Sequence, residues 1–416
     1  MFRRLLRGAA LVCAAVCAWP GGWKPAWLNG LVPSLSPFNA LLTLAAGAGG
    51  LFLLGAVAVA AACAVWPRAF CRWLCPAGTC QQTSIFLTRR HEGTKVFLTG
   101  LTRFFPFALF APLRLKKDAP AVKNKPPFYP GAWLVFIGTG AALMGYPLFG
   151  WLDPLVLFSA VFGLARGGLE WRDWIAAMGL PLLIVVSCVT PGWWCRRLCP
   201  LGALQELLRV PSRARAARDA GCASGGATVG RRVFLGLGLG AGYRMAFPPL
   251  RTTTAQPPLR PPGAVDEAQF IRLCTRCGAC VRSCPPRILR FGGCGAGWAG
   301  VLAPEVCFDN SSCEPSCTRC GQVCPSGAIA RFTRKTKCAR PMGTAVIAVE
   351  DCLLSQHREC GVCVGVCEYG ALDMEWDPEE MQSRITLNPT LCTGCGCCEY
   401  ICPTTPKALR VSARKS

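Results

Sequence analysis

Residues 274–286 read CTRCGACVRSCPP, and the spacing of their cysteines decides what the C-terminal part of the chain builds. Cys274, Cys277 and Cys280 are separated by two residues each, and Cys284 follows and precedes a proline. Three closely spaced thiolates can wrap one corner of a cuboidal iron–sulfur cluster, whereas the fourth lies too far along the chain to close the same cube. The stretch therefore predicts a [4Fe–4S] loop whose fourth cysteine binds a partner cluster.

Three further stretches repeat this pattern with variations. Residues 391–406, LCTGCGCCEYICPTTP, repeat it with an extra Cys397, and residues 313–329, CEPSCTRCGQVCPSGAI, widen the first gap by one residue. In DCLLSQHRECGVCVGVCEYGAL, residues 351–372, the first gap holds seven residues and Glu368 replaces the proline. The four motifs predict four [4Fe–4S] clusters with sixteen ligands: Cys274, Cys277, Cys280, Cys284, Cys313, Cys317, Cys320, Cys324, Cys352, Cys360, Cys363, Cys367, Cys392, Cys395, Cys398 and Cys402.

Disulfides and zinc sites are two other possible uses of the 30 cysteines. Disulfide scaffolds are usually small secreted domains, and structural zinc sites use pairs of cysteine pairs rather than triplets followed by Cys-Pro. Iron is therefore favoured as the metal. From similarity to other four-cluster ferredoxins, we expect an α+β domain of two ferredoxin-like halves, with the outer two motifs paired together and the inner two paired together.

The N-terminal part has the composition of a membrane protein. The chain is 52% hydrophobic and 16% charged, with a mean hydropathy of +0.35. Residues 1–265 carry 28 Lys and Arg against 7 Asp and Glu, while residues 266–416 carry 17 against 15. The excess lies in short loops between apolar segments, as the positive-inside rule expects, so nucleic acid is excluded as a partner. We expect a bundle of four spans, with a fifth as an option; the first lies at the N-terminus and the other three are Leu41–Trp66, Gly131–Gly150 and Trp174–Trp194.

The same part contains a repeated unit. The segments SPFNALLTL and DPLVLFSAV each precede an apolar stretch and then a C-x3-C-P motif, first Cys71 and Cys75, later Cys195 and Cys199. A pseudo-two-fold arrangement would bring these four thiols together as one metal centre at the cytoplasmic edge of the membrane. The alternative is two independent pairs, either buried thiols or reversible disulfides.

The sequence pattern predicts an export signal in the middle of the chain. Residues 229–241, VGRRVFLGLGLGA, resemble a twin-arginine signal through Arg231 and Arg232, and they lie in a linker rich in Pro, Thr and small residues. We therefore expect a membrane domain at 1–210, a linker with the signal at 211–264, and a ferredoxin-type domain at 265–416.

Two family resemblances rest on these motifs. Residues 1–210 resemble membrane quinol-dehydrogenase subunits of the NapH and MauN type, through the motifs CRWLCPAG and CRRLCPLG. NapH-type subunits usually continue into cytoplasmic ferredoxin motifs after the second C-x3-C-P motif, whereas in this chain none follow Cys199. Residues 229–416 resemble ferredoxins of the NapG and MauM type. The resemblance implies a fusion in the bacterial inner (cytoplasmic) membrane with a periplasmic ferredoxin domain, which passes electrons from the membrane quinol pool to a periplasmic redox partner protein.

No catalytic constellation of a conventional enzyme is recognisable. The sequence holds no nucleophile–base set and no phosphate-binding loop, and His91 stands beside Arg89 and Arg90 in an expected loop. A quinol dehydrogenase without such a site is compatible with this, so the enzyme assignment stays open. The alternative function is an accessory or maturation factor that supplies electrons or metal for the assembly of another redox enzyme.

Overall fold

The computed structural model describes residues 2–21, 24–47, 49, 53–66, 68–90, 130–166, 171–190, 192–208, 225–246, 257–293, 300–378 and 381–414. His91 and most of the expected linker lie outside these residues. The described part consists of an N-terminal helical half and a C-terminal half of short helices and strands.

The helical half contains twelve described α-helices. They are α1 Phe2–Ala18, α2 Leu28–Ser34, α3 Pro37–Ala45, α4 Leu53–Val65, α5 Ala69–Trp73, α6 Pro76–Arg90, α7 Pro130–Leu143, α8 Pro154–Val161, α9 Trp171–Ala177, α10 Gly179–Val189, α11 Pro200–Leu207 and α12 Gly225–Ala246. Short 3-10 turns occupy Gly150–Leu152 and Phe162–Arg166, and a π-helical turn occupies Trp194–Leu198.

The expected membrane spans are corrected by this structure. Within the described ranges, none of the helices combines the length and the apolar character that crossing a membrane requires. The hydrocarbon core of a bilayer needs about 20 helical residues. Helix α4 has 13 residues, which reach only about 20 Å at 1.5 Å per residue. Helix α12 has 22 residues, but Arg231, Arg232 and Arg244 interrupt its apolar run.

The apolar runs of the sequence are divided between separate helices. The run Leu41–Trp66 belongs partly to α3 and partly to α4, and Trp174–Trp194 is shared between α9 and α10. In Gly131–Gly150, the helix ends at Leu143. The predicted bundle of four spans with an optional fifth is therefore wrong, and the assignment to a bacterial inner membrane, which rested on those spans, falls with it.

The repeated unit is visible as matching local structures. Ser36 and Asp153 each cap a helix that begins with proline, since the Ser36 hydroxyl accepts from the Asn39 N–H at 3.3 Å and Asp153 accepts from the Leu155 N–H at 2.8 Å. The Ser36 hydroxyl also donates to the Asp153 carboxylate. This contact joins the two equivalent caps, and both side chains are buried.

Helices α7 and α12 pack closely through glycines. A Cβ at Gly140 would collide with the carbonyl oxygen of Leu237, and one at Gly240 would collide with the carbonyl oxygen of Ile137 and lie 2.8 Å from the Ala141 nitrogen. The helix that contains the proposed export signal is therefore packed against α7. This packing does not test the signal interpretation itself, which stays a prediction.

This packing makes Gly240→Ala a destabilising substitution. The new methyl group would force the two backbones apart, and overpacking of this kind costs about 1–3 kcal/mol. Thermal unfolding followed by circular dichroism should show a lower midpoint than for the unchanged protein. The matched control is Gly242→Ala, where a Cβ meets nothing within 4 Å; it should be neutral or stabilising, because alanine favours helix more than glycine does. Equal midpoints for the two variants would contradict the α7–α12 packing.

The C-terminal half contains six short α-helices and six strands among its described residues. They are α13 Glu267–Leu273, α14 Ala279–Ser283, β1 Leu289–Phe291, β2 Pro304–Val306, α15 Arg319–Val323, α16 Arg334–Lys337, β3 Thr344–Ile347, α17 Val362–Gly365, β4 Leu372–Asp377, β5 Gln382–Leu387, α18 Cys397–Ile401 and β6 Leu409–Ser412. Strands β1 and β2, β3 and β6, and β4 and β5 form three antiparallel two-stranded sheets.

The first cysteine-rich unit packs directly on the helical half. Asn29 of α2 donates from Nδ2 to the Ser283 hydroxyl at 2.6 Å, and the Arg282 guanidinium donates to the Asn29 carbonyl at 3.4 Å. A Cβ at Gly30 would collide with the carbonyl oxygen of Val323. Ser283 precedes Cys284 and Val323 precedes Cys324, so helix α2 lies against the two cysteine loops of this unit.

Candidate metal centres

The first two motifs combine to form two four-cysteine sites. Burial is the main cause that raises the pKa values of Cys274, Cys277 and Cys280, and charge repulsion from Cys324 adds to the rise in each. Cys277 also acts on Cys274 in this way. We define site I as Cys274, Cys277, Cys280 and Cys324. In the same way, Cys284 and Cys317 act on Cys313 and Cys320. Site II therefore consists of Cys313, Cys317, Cys320 and Cys284.

The last two motifs exchange their fourth cysteines as well. A cavity of about 330 Å³ is lined by Cys352, Cys360, Cys363 and Cys402, which define site III. A second cavity of about 360 Å³ is lined by Cys392, Cys395, Cys398 and Cys367, which define site IV, together with Cys397. Cys397 itself donates to the Ser312 hydroxyl at 3.0 Å.

This arrangement corrects the expected nesting of the motifs. Motif one pairs with motif two and motif three pairs with motif four, so the pairing of outer with outer and inner with inner is wrong. The physical reason is that each fourth cysteine follows its triplet by only a short helix or turn and reaches the nearest neighbouring loop. The general expectation that the fourth cysteine serves a partner site agrees with the geometry.

The sites suit a group that binds thiolates. Burial raises the pKa of Cys274 to about 11 and that of Cys398 to about 12, so free thiolates there would be costly without positive charge or hydrogen-bond donors. Backbone N–H groups supply such donors: Ile329 to Cys324 at 3.4 Å, Ala371 to Cys367 at 3.3 Å and Ala345 to Cys392 at 3.5 Å. Four sulfurs with amide donors around them are the donor set of a [4Fe–4S] cluster.

Lys337 adds a buried positive charge at site II. Its ammonium donates to the Cys313 sulfur at 3.4 Å and to the Cys317 carbonyl at 2.9 Å, and only 5% of the residue is exposed. Its charge lowers the pKa of Cys313 against the larger effect of burial. This role could not be predicted from the sequence, since Lys337 stands in an ordinary basic stretch.

The two C-x3-C-P motifs of the helical half also come together. Burial raises the pKa of Cys71 well above its usual value, and charge repulsion from Cys75, Cys199 and Cys195 raises it further. We define the helical site as these four residues. Cys75 and Cys199 are each 5% exposed, and their sulfurs accept from the N–H groups of Gly78 and Gly202, both at 3.4 Å.

The repeats also place matching glutamines beside the helical site. Gln81 follows Cys75 by the same interval as Gln205 follows Cys199. The Cys195 thiol donates to Gln81 Oε1 at 2.8 Å, whereas the Gln81 Nε2 and both amide atoms of Gln205 have no hydrogen-bond partner among the described residues. Asp153 is fully buried, and this burial raises its pKa to about 6. Neither the glutamines nor Asp153 was predicted as part of a site.

The sites follow one another in a definite order. Burial is the main cause that raises the pKa of Cys280 in site I, and charge repulsion from Cys320 of site II adds to it. Cys313 of site II donates its N–H to the Cys395 carbonyl of site IV at 2.8 Å. Cys363 of site III contributes to the raised pKa of Cys398 in site IV. The order is therefore I–II–IV–III, in which the last two motifs are reversed relative to the sequence.

The helical site lies on the side of site I. Asp153 contributes by charge repulsion to the raised pKa values of Cys75 and Cys199, and it accepts from Ser36. Ser36 and Asn39 line a cavity of about 250 Å³ together with Thr275 and Ser326, which adjoin ligands of site I.

Among the described residues, no three His, Cys, Asp or Glu side chains form a group that could hold a single metal ion.

Two family models match the chain. One, a 4Fe-4S dicluster domain, matches residues 358–405, which carry the last two motifs except Cys352. The other, a 4Fe-4S binding domain, matches residues 48–95 and 173–217, which carry the cysteine pairs of the helical site. The motifs, the paired sites and these matches together define a [4Fe–4S] electron-transfer protein of the ferredoxin type.

Curated relatives define the family more closely. Methylamine utilization ferredoxin-type protein MauM of Paracoccus denitrificans is 32% identical over 216 residues, which are 50% of this chain and 92% of that protein. MauM of Methylobacillus flagellatus is 34% identical over 175 residues, 40% of this chain and 72% of that protein. Ferredoxin-type protein NapG of Escherichia coli is 35% identical over 165 residues, 37% of this chain and 69% of that protein. The chain belongs to this family of MauM and NapG ferredoxin-type proteins. No solved structure matches it.

Proposed function

We propose that the chain carries electrons through four [4Fe–4S] clusters bound at sites I to IV, with the helical site as a fifth centre. The observation that carries the proposal is the unbroken order of neighbouring sites from the helical half to site III. When bound, the clusters supply one-electron redox chemistry. The protein residues hold them with thiolates, surround them with amide donors and bury half of the ligands away from water.

The residues around each site would also set its redox potential. Hydrogen bonds to sulfur, nearby charges and burial are the usual means by which a protein does this. A buried cation stabilises the more negative, reduced form of a cluster, so Lys337 favours reduction at site II. At the helical site, Arg68 lowers the pKa values of Cys71 and Cys195, against the larger effect of burial on each.

The donor in this proposal is a quinol, and the acceptor is a separate redox protein in the periplasm. Support for the donor comes from the similarity of residues 1–210 to NapH-type quinol dehydrogenases, a resemblance that stays a prediction. Oxidation of one quinol releases two electrons and two protons. Two cluster reductions, one electron each, accept the electrons.

Anaerobic titration of the full-length iron-loaded protein with a quinol tests the donor. We expect the visible charge-transfer absorption of the clusters to bleach. Signals of reduced clusters should appear in the electron paramagnetic resonance spectrum. Dithionite serves as the control reductant, because it reports whether the clusters are present and reducible. Clusters that dithionite reduces but that no quinol of suitable potential reduces would overturn the quinol donor and favour a role in the assembly of another redox enzyme.

A further inference from the structure

We propose that the face of the β4–β5 hairpin beside site III docks the acceptor, and that this acceptor is a redox protein with a basic surface around an apolar contact. The inference rests on the proposed electron-transfer function and identifies its exit. Site III adjoins site IV at the far end of the order I–II–IV–III, away from the helical half. An acceptor that approaches site III therefore meets the last centre of the series.

The hairpin extends the apolar wall of site III into solvent. Met374 lies opposite Ile385 across the β4–β5 ladder, and Ile385 lines the site III cavity. A Cβ built at Gly361, beside Cys360, would lie 2.9 Å from the Met374 methyl carbon. Because side chains two residues apart share one face of a strand, Trp376 continues the face of Met374 beyond the site.

The apolar face is exposed although its side chains are large. Met374 is 45% exposed, Trp376 is 61% exposed and Met381, just before β5, is 73% exposed. Val362, which also lines the site III cavity, is 45% exposed. Single exposed apolar residues are ordinary, but a group of them next to a functional centre is typical of an interaction surface. Tryptophan and methionine are also enriched at protein–protein interfaces.

Charge identifies the kind of partner. Residues 349–387 hold nine Asp and Glu against two Lys and Arg, in a chain whose formal net charge is +23. Asp373 and Glu375 are exposed on β4, on the strand face opposite Met374 and Trp376, while Asp377 forms an ion pair with Arg384 at 2.9 Å. Acidic residues on this hairpin attract and orient a basic partner through their long-range field, and the attraction weakens as salt increases.

Oxidised mitochondrial cytochrome c, a basic haem protein, is the probe for this surface. The full-length iron-loaded protein is reduced with dithionite, freed of excess reductant and mixed with the probe in a stopped-flow instrument. One electron passes from a reduced cluster to the ferric haem, which becomes ferrous, and no proton moves. We expect a second-order rate constant that falls steeply with ionic strength. Ferricyanide, a small anionic oxidant, serves as the control acceptor.

Two variants should weaken docking without removing a cluster. Trp376→Ala and the double change Asp373→Lys with Glu375→Lys should each reduce the rate with cytochrome c about tenfold at low salt, which is within the range for interface contacts. Their rates with ferricyanide should stay unchanged. The matched control for Trp376→Ala is Trp66→Ala, because Trp66 is 69% exposed on the helical half. This control should behave like the unchanged protein.

Binding is also measured without electron transfer. Isothermal titration calorimetry of the two oxidised proteins should show a complex that Trp376→Ala weakens. Unchanged affinity and rate in both variants, or rates independent of salt, would overturn the docking surface while electron transfer stands. Analytical ultracentrifugation could instead show a dimer that Trp376→Ala dissociates, while cytochrome c binding is unchanged. This result would also overturn the proposed docking surface, because the face would then bind a second copy of the chain. Clusters that dithionite cannot reduce would instead contradict the proposed function.

Discussion

Replacement of Cys395 by alanine should leave site III without its supply of electrons. Cys395 is a ligand of site IV, which lies between sites II and III in the order I–II–IV–III. When a quinol reduces the variant, we expect reduced clusters at sites I and II and an oxidised cluster at site III. Electron paramagnetic resonance and Mössbauer spectra of iron-57 protein, compared before and after dithionite, can count the clusters in each state.

The opposite result is expected for Cys363→Ala, which removes a ligand of site III. Site III lies at the end of the order, so its loss should leave sites I, II and IV reducible by the same quinol. Dithionite is then added to Cys395→Ala as a control. Reduction of site III by dithionite would show that the site III cluster is still present in this variant. The geometric order is wrong if the quinol cannot reduce site IV in Cys363→Ala but still reduces site III in Cys395→Ala. Electrons would then follow the order of the motifs in the sequence.

Loss of the helical site should remove about four irons from the protein. With five cubane clusters, the chain would hold about twenty irons, and Cys75→Ala combined with Cys199→Ala should lower this to about sixteen, by the four-iron stoichiometry of such clusters. Both residues are buried, and their sulfurs accept from equivalent glycine N–H groups. The change should leave the spectra of sites I to IV as they were.

The control for this change is Cys80→Ala. Cys80 lies on the same helix as the Gly78 that donates to Cys75, but it belongs to neither motif. Iron and zinc are measured by inductively coupled plasma mass spectrometry on protein loaded under identical conditions. About sixteen irons in both the unchanged protein and the double variant would show that the helical site holds no cluster. Zinc lost in the double variant would assign the site to that metal, against the proposal.

Much of the ligand chemistry could be predicted from local spacing. A triplet such as Cys274, Cys277 and Cys280 places three thiols in one short loop, so no distant part of the chain is needed to recognise it. The repeat also indicated that Cys71 and Cys75 would meet Cys195 and Cys199, and the structure brings these four residues together. Equivalent segments tend to fold alike, and two alike units tend to pair symmetrically.

Hydropathy predicted the helical half less well. A window of apolar residues reports composition, but it does not report where a helix stops. Helix α3 ends at Ala45 and α4 begins only at Leu53, so the apolar run between Leu41 and Trp66 is not one continuous helix. Gly47, at a φ of +85°, lies between them in a conformation that suits glycine. The prediction of membrane-spanning helices was wrong for this reason.

The sequence by itself was enough to predict sixteen cysteine ligands and to predict that each fourth cysteine would serve a neighbouring site. Only the tertiary structure decided that Cys324 completes site I, that site II adjoins site IV, and that Lys337, Gln81, Gln205 and Asp153 surround sites. The physical reason is the range of the interactions. Ligand spacing is a property of a few consecutive residues, whereas cluster order, buried charge and unpartnered amides arise from contacts between segments far apart in the chain.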